Sequence, residues 1–262
     1  MRALFAPALA LLVAATGATA HAAEYAAIPG GTFSSVLPAD GKSADAKIAS
    51  FRLRATPVTN GEFLAFVKAH PEWRRDRVAR IFAEQRYLET WKAPDALGSG
   101  VSPEQPVTNV SWFAAEAFCE GESARLPTWY EWEFAAAADA TRTDARADPA
   151  WRERILAWYA RPSGDPLTPV GGEANVYGVR DLHGLVWEWV DDFNALLISA
   201  DNREQGDPDL LRFCGAGAIT LQQRENYAVL MRIAMLSSLK AADTTRNLGF
   251  RCAKPATSEN HP

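Results

Sequence analysis

The chain has 262 residues, with 27 Lys and Arg against 32 Asp and Glu, a formal charge of -5, and 48% hydrophobic residues. No basic cluster or Lys/Arg stripe appears, which excludes nucleic acid as an expected partner, and the apolar content excludes a disordered chain. Nine Trp is a high count for this length. Such rings, each a large apolar body with one N–H to satisfy, suit a fold that packs irregular backbone with big side chains.

Residues 1–22 read as a secretory signal. Arg2 gives a positive start, Ala3 to Gly17 is almost wholly apolar, and Ala18-Thr19-Ala20 and Ala20-His21-Ala22 offer the small-x-small pattern of a signal peptidase site. The apolar run is short of the roughly 20 residues of a spanning helix. Cleavage after Ala22 would leave 240 residues, Ala23 to Pro262, with a formal charge of -6 once Arg2 is removed. The expectation is a periplasmic or secreted protein, not membrane-bound after cleavage, with one domain over 23–255 and a disordered tail over 256–262.

Along the mature chain the first strand signals are Thr32 to Val36 and Ser50 to Ala55. Thr59 with Glu62 makes a capping box ahead of Phe63, Leu64, Phe66 and Val67. Ser111 opens a helix from Trp112 to Cys119. Thr128 with Glu131 repeats the capping box ahead of Trp132, Phe134 and Ala135. Asp148-Pro149 starts a helix carrying Trp151, Ile155, Leu156 and Trp158. Val229 to Met235 reads as a further strand. The long segments between carry Gly, Pro, Asp and Asn with no clear period, as in functional loops or a loop-rich fold. Of the three cysteines, Cys119, Cys214 and Cys252, an exported protein could join two. Spacing alone does not choose the pair.

Six segments in order, covering nearly the whole mature chain, resemble the formylglycine-generating (sulfatase-modifying) enzyme family. They are Ile28 to Phe33, Pro57 to Phe63, Gln105 to Trp112, Arg125 to Glu133 ("RLPT-x-x-EWE"), Gly178 to Trp189 (similar to "GLYD-x-x-GNVWEW") and Asn247 to Cys252 ("NLGFRC"). The resemblance implies an α/β (α+β) single-domain C-type-lectin-like/sulfatase-modifying-factor fold, with low regular secondary structure and short antiparallel strands. It also implies a disulfide between Cys119 and Cys252, worth on the order of 4 kcal/mol through the long loop it closes, and leaves Cys214 as a free thiol.

The chain departs from the family at the reacting atoms. The family's oxidase uses two cysteines, five positions apart, to hold copper(I) and the substrate thiol. A gapless count back from Asn247 places Gln223 and Ala228 there, with Tyr227 and Arg232 keeping the register. Neither Gln nor Ala supplies the thiolate that copper(I) requires, so copper-dependent oxidation of a sulfatase cysteine is not expected. One family calcium site keeps Glu188 but has Leu185 for its Asn, and the second has no match around Leu156 to Pro169, so calcium, which takes six to eight oxygens, is not expected to bind tightly. A three-histidine iron site, as in ergothioneine-synthase-type relatives, is not assembled from His70, His183 and His261. His183 reads as a structural residue.

Two readings stand for the stretch that replaces the catalytic segment. One is a solvated polar loop. The other is a groove lined by Gln223, Arg224, Glu225, Asn226, Tyr227 and Arg232 beside Trp187 and Glu188, in which Arg224 and Arg232 contact carboxylates. Cys214, among glycines, reads as a small buried hydrophobe or as a reactive or metal-binding thiolate; copper has a place only if Cys214 is a ligand. The "RENYAVLMR" stretch resembles the accessory protein encoded with copper nitrite reductases. The expected function is therefore a periplasmic accessory, maturation or binding protein, with ties to copper or oxidoreductase proteins. Its partner would be a periplasmic protein, a peptide or a small molecule. The alternative is a divergent enzyme with another oxidative or modifying reaction.

Overall fold

The computed structural model describes residues 23–35, 45–161, 166–194 and 227–256. The expected signal, most of the tail and Cys214 lie outside those residues. Strand β1 (Tyr25–Ile28) pairs antiparallel with β4 (Phe51–Arg54), placing Ile28 opposite Phe51. β7 (Ala253–Pro255) lies on the other edge of β4, so the sheet order is β1-β4-β7. β2 (Gly31–Ser34) and β3 (Asp45–Ile48) form a separate antiparallel pair. Between β1 and β2 only glycine fits at position 30. Its φ is +70°, and a Cβ there would lie 2.4 Å from the Ile48 carbonyl oxygen.

The strand readings at residues 32–36 and 50–55 correspond to β2 and β4. β1, β3 and β7 are four, four and three residues long. Such lengths are too short for alternation to announce them.

The four helix starts read from the sequence are realised. In α1 (Asn60–Ala69) the Glu62 amide donates to Thr59 Oγ1 (3.3 Å) and the Thr59 amide to Glu62 Oε2 (2.8 Å). In α3 (Trp129–Ala136) Thr128 and Glu131 do the same, at 3.3 and 2.9 Å. Ser111 Oγ caps α2 (Trp112–Gly121) and Asp148 caps α4 (Pro149–Tyr159). Each cap satisfies amides that have no partner within the helix and contributes about 1 kcal/mol.

The strand expected over Val229 to Met235 is instead part of a helix, α5 (Tyr227–Ser237). Arg232, Ile233 and Leu236 are its buried residues. Their three- and four-residue spacing is that of a helix face, which the run of β-branched and aliphatic residues concealed.

The core is aromatic. Phe63 on α1 meets Phe66, Phe118 and Phe250 with ring centroids 5.4, 5.8 and 6.0 Å apart. Rings of this kind bury about 150–250 Å² each. Alongside them a Cys119–Cys252 disulfide ties α2 to the residue before β7, across 133 positions of sequence. The domain is thus α+β: short antiparallel sheets and helices joined by long irregular segments.

Candidate functional site

Two chain segments far apart in sequence meet as a two-residue parallel pair, β5 (Trp187–Glu188) against β6 (Leu248–Gly249). β6 passes so close to its neighbour that a Cβ on Gly249 would sit 2.6 Å from the Val107 carbonyl oxygen. This contact accounts for the glycine in the closing motif.

The pairing delivers Glu188 and Arg251 to the interior, where both side chains are fully enclosed. Arg251 donates to Glu188 through Nε (2.8 Å, to Oε2) and Nη2 (2.8 Å, to Oε1), and Trp132 Nε1 donates to Oε2 at 2.7 Å. Arg251 Nη1 also donates to the Arg54 carbonyl (3.1 Å) and Nη2 to that of Arg180 (2.9 Å). Trp189 Nε1 donates to the Val110 carbonyl and Trp112 Nε1 to that of Val190, at 2.9 and 3.0 Å. Residues of the second half of the chain are thereby joined to α2, α3 and β4 around one buried ion pair.

α5 lies beside this centre. Arg232 is buried, its guanidinium carbon 3.5 Å from the centroid of the Trp132 ring, and its Nη2 donates to the Glu188 carbonyl at 2.6 Å. Its Nε is shut from solvent and has no hydrogen-bond partner among the described residues. Burial pulls the Arg232 pKa down to about 10, against a smaller opposing attraction from Glu188. Ala228 stands one turn earlier, on the same face of the helix. Both line a cavity of about 40 Å³ walled by Trp129, Trp132, Trp151 and Tyr159. Burial raises Tyr159 to about 12. Outside that wall Trp187 packs on Tyr159 and Trp158, with centroids 4.8 and 5.6 Å away.

His183 borders this cavity and a wider cleft of about 350 Å³ between α4 and residues 168–185. Its Nε2 lies 2.9 Å from the Ala136 carbonyl, an acceptor, so Nε2 carries the proton and Nδ1 is left an unpartnered lone pair. Trp132 and Trp151 meet the ring edge-on, each at 5.6 Å. Desolvation, partly opposed by the Ala136 hydrogen bond, lowers its pKa from the ordinary 6.5 to about 4. Between those values the unfolded chain takes up a proton that the folded one refuses, so stability falls as pH falls through that window. Between about pH 7 and about pH 5 the native protein should lose about 2 kcal/mol more than His183→Gln, which has no titrating ring. Urea unfolding at both pH values checks this; equal losses would place the imidazole in contact with water.

The residues proposed for the groove are distributed as follows. Gln223, Arg224, Glu225 and Asn226 lie outside the described residues, and Tyr227 is described only as the first residue of α5. Ala228 and Trp187 are half-buried. Of Glu188 and Arg232, Arg232 lines the small cavity and Glu188 does not. Each is buried, because a carboxylate and a guanidinium this deep are held by partners that water does not reach. The Glu188 carboxylate, which the resemblance would make a calcium ligand, has its two oxygens taken by Arg251 and Trp132, and Leu185 is buried. His70 is half-exposed at the end of α1, and His261 lies outside the described residues.

Sequence reading gave no role to Trp132, Trp151, Tyr159 or Arg251. Arg251, a charge inside an apolar run between Phe250 and Cys252, carried the signal of a buried ion. The cavity walls on α4 carried none beyond apolar periodicity.

Residues 13–256 match the family model described as sulfatase-modifying factor enzyme 1-like domain. The chain is 33% identical over 180 residues to the bovine (Bos taurus) "Inactive C-alpha-formylglycine-generating enzyme 2", covering 63% of this chain and 56% of that protein. It is 29% identical to the "Formylglycine-generating enzyme" of Streptomyces coelicolor, over 87% of this chain and 86% of that one. It is 31% identical to the "Hercynine oxygenase" of Mycobacterium tuberculosis, over 54% of this chain and 37% of that one.

Proposed function

The chain belongs to the sulfatase-modifying factor enzyme 1-like family, and from that premise we propose that it is an exported member without the family's copper-thiolate oxidation, acting as a periplasmic accessory or maturation protein that binds a peptide or small molecule. The observation that carries this reading is the position of Ala228. It stands in the register of the second cysteine, and its side chain, which offers no ligand atom, lines a small, aromatic-walled cavity. Gln223, in the register of the first cysteine, likewise supplies no thiolate. The similarity to a bovine protein named as inactive is in keeping with this. Similarity to two proteins named as enzymes, a formylglycine-generating enzyme and a hercynine oxygenase, favours the second reading, a divergent enzyme of the same fold.

Metal analysis of the purified mature protein separates the two. The binding reading expects neither copper nor iron at stoichiometric level after purification without chelator. One equivalent of either metal, retained through dialysis, would favour the enzyme.

A further inference from the structure

If α5 has become a binding element, as the preceding reading holds, the groups around its cavity indicate what is bound. Arg232 is fully buried and makes no contact with a carboxylate among the described residues. Glu188 gives it only a backbone carbonyl, while the Glu188 side chain is held by Arg251 and Trp132. A cation this deep is costly to leave without an anion. The same cavity is bordered by Arg146, Arg152 and Glu133. Arg146 pairs with Asp144 at 2.7 Å and lies 3.9 Å from Glu133, whose Oε2 accepts from Ser35 at 2.6 Å. Arg146 and Arg152 have partners of their own, so among the described residues it is Arg232 that brings a buried, unpartnered guanidinium donor to this space.

We propose that this cavity is a binding site for a single carboxylate group, held by the unpartnered Nε–H of Arg232 over the face of Trp132, with the aromatic walls taking the apolar part of the ligand. The volume of about 40 Å³ corresponds to about three water-sized spheres, the size of a carboxylate head group. A planar guanidinium is the side chain best matched to that group. Trp129, Trp151 and Tyr159 make the walls largely apolar, and a lower local dielectric strengthens the pairing. The carboxylate arrives either on a small free acid or at the terminus of a peptide.

The test is titration of the native protein, followed by tryptophan fluorescence at constant ionic strength. The probes are sodium acetate, N-acetyl-dialanine and the C-terminal amide of that dipeptide, with sodium chloride as reference. Saturable quenching by acetate, absent with chloride and the amide, is the expected result. A response to acetate alone identifies a free acid as the source, and a response to both carboxylates identifies a peptide terminus. Ala228→Leu fills the cavity from an outer turn of α5, leaves Arg232 in place and should weaken acetate binding by at least about tenfold. Retention of the urea midpoint in that variant shows that it is folded. No saturable response to either carboxylate, or undiminished affinity in folded Ala228→Leu, overturns the proposal. A protein that lacks both metal and carboxylate response keeps the binding reading but not this ligand. One with stoichiometric copper loses the binding reading itself.

Discussion

Replacing Glu188 by Gln is expected to lower the stability of the folded protein by about 3–5 kcal/mol, the cost of breaking a buried ion pair from one side. The substitution keeps the volume and removes the charge. Arg251 would then lie fully enclosed against a neutral amide, with Arg232 a second buried cation alongside, stacked on the same Trp132 ring that donates to Glu188. Domains of this kind are stable by about 5–15 kcal/mol in total, so the variant should unfold at a much lower urea concentration. A surface pair gives the contrast. Arg246 Nε lies 3.1 Å from Glu89 Oε1 with 70% of its side chain exposed, and Arg246→Ala should cost less than about 1 kcal/mol. Similar midpoints for the two variants would mean that the Glu188–Arg251 pair is reached by solvent.

The second large effect is expected at the disulfide. Cys119 and Cys252 close 133 positions of chain. In the chain-entropy model a loop of that length restrains the unfolded state by about 4–5 kcal/mol. Cys119→Ala/Cys252→Ala should therefore shift the unfolding midpoint strongly, as should reduction of the native protein. The two residues are buried among Phe63, Phe118 and Phe250, so substitution also removes some packing. Reduction of the native chain separates the two contributions, since it leaves the side chains in place. Non-reducing peptide mapping should recover a peptide joining Cys119 to Cys252; one joining Cys214 to either would defeat the pairing.

Much of the frame was legible because it is local. Capping boxes such as Thr59 with Glu62 and Thr128 with Glu131 are complete within four residues, and both helices start where those pairs stand. The family resemblance supplied what periodicity did not: the fold and the disulfide between Cys119 and Cys252. Two things escaped. The residues of α5 suggest a strand because the β-branched Val229 and Ile233 favour β structure, whereas tertiary packing selects the face that buries Arg232, Ile233 and Leu236. The depth of Glu188 and Arg232 escaped because a charged side chain looks the same in sequence at a surface and in a core. Glu188 is answered by Arg251, 63 positions away, and Arg232 by the ring of Trp132. Only the folded chain brings those partners together.

The proposal that this chain lacks the family's copper-thiolate oxidation is tested most directly with a Cys-x-Pro-x-Arg peptide. The peptide is incubated with the purified protein, copper(I), reductant and air, and followed by mass spectrometry beside an active family member. If the gapless count from Asn247 holds, Gln223 and Ala228 occupy the two cysteine registers, and neither supplies a thiolate to hold the metal and the substrate thiol. The predicted result is a peptide whose cysteine stays intact while the active enzyme converts it. Copper-dependent conversion of that cysteine to the aldehyde, at steady turnover, would contradict it.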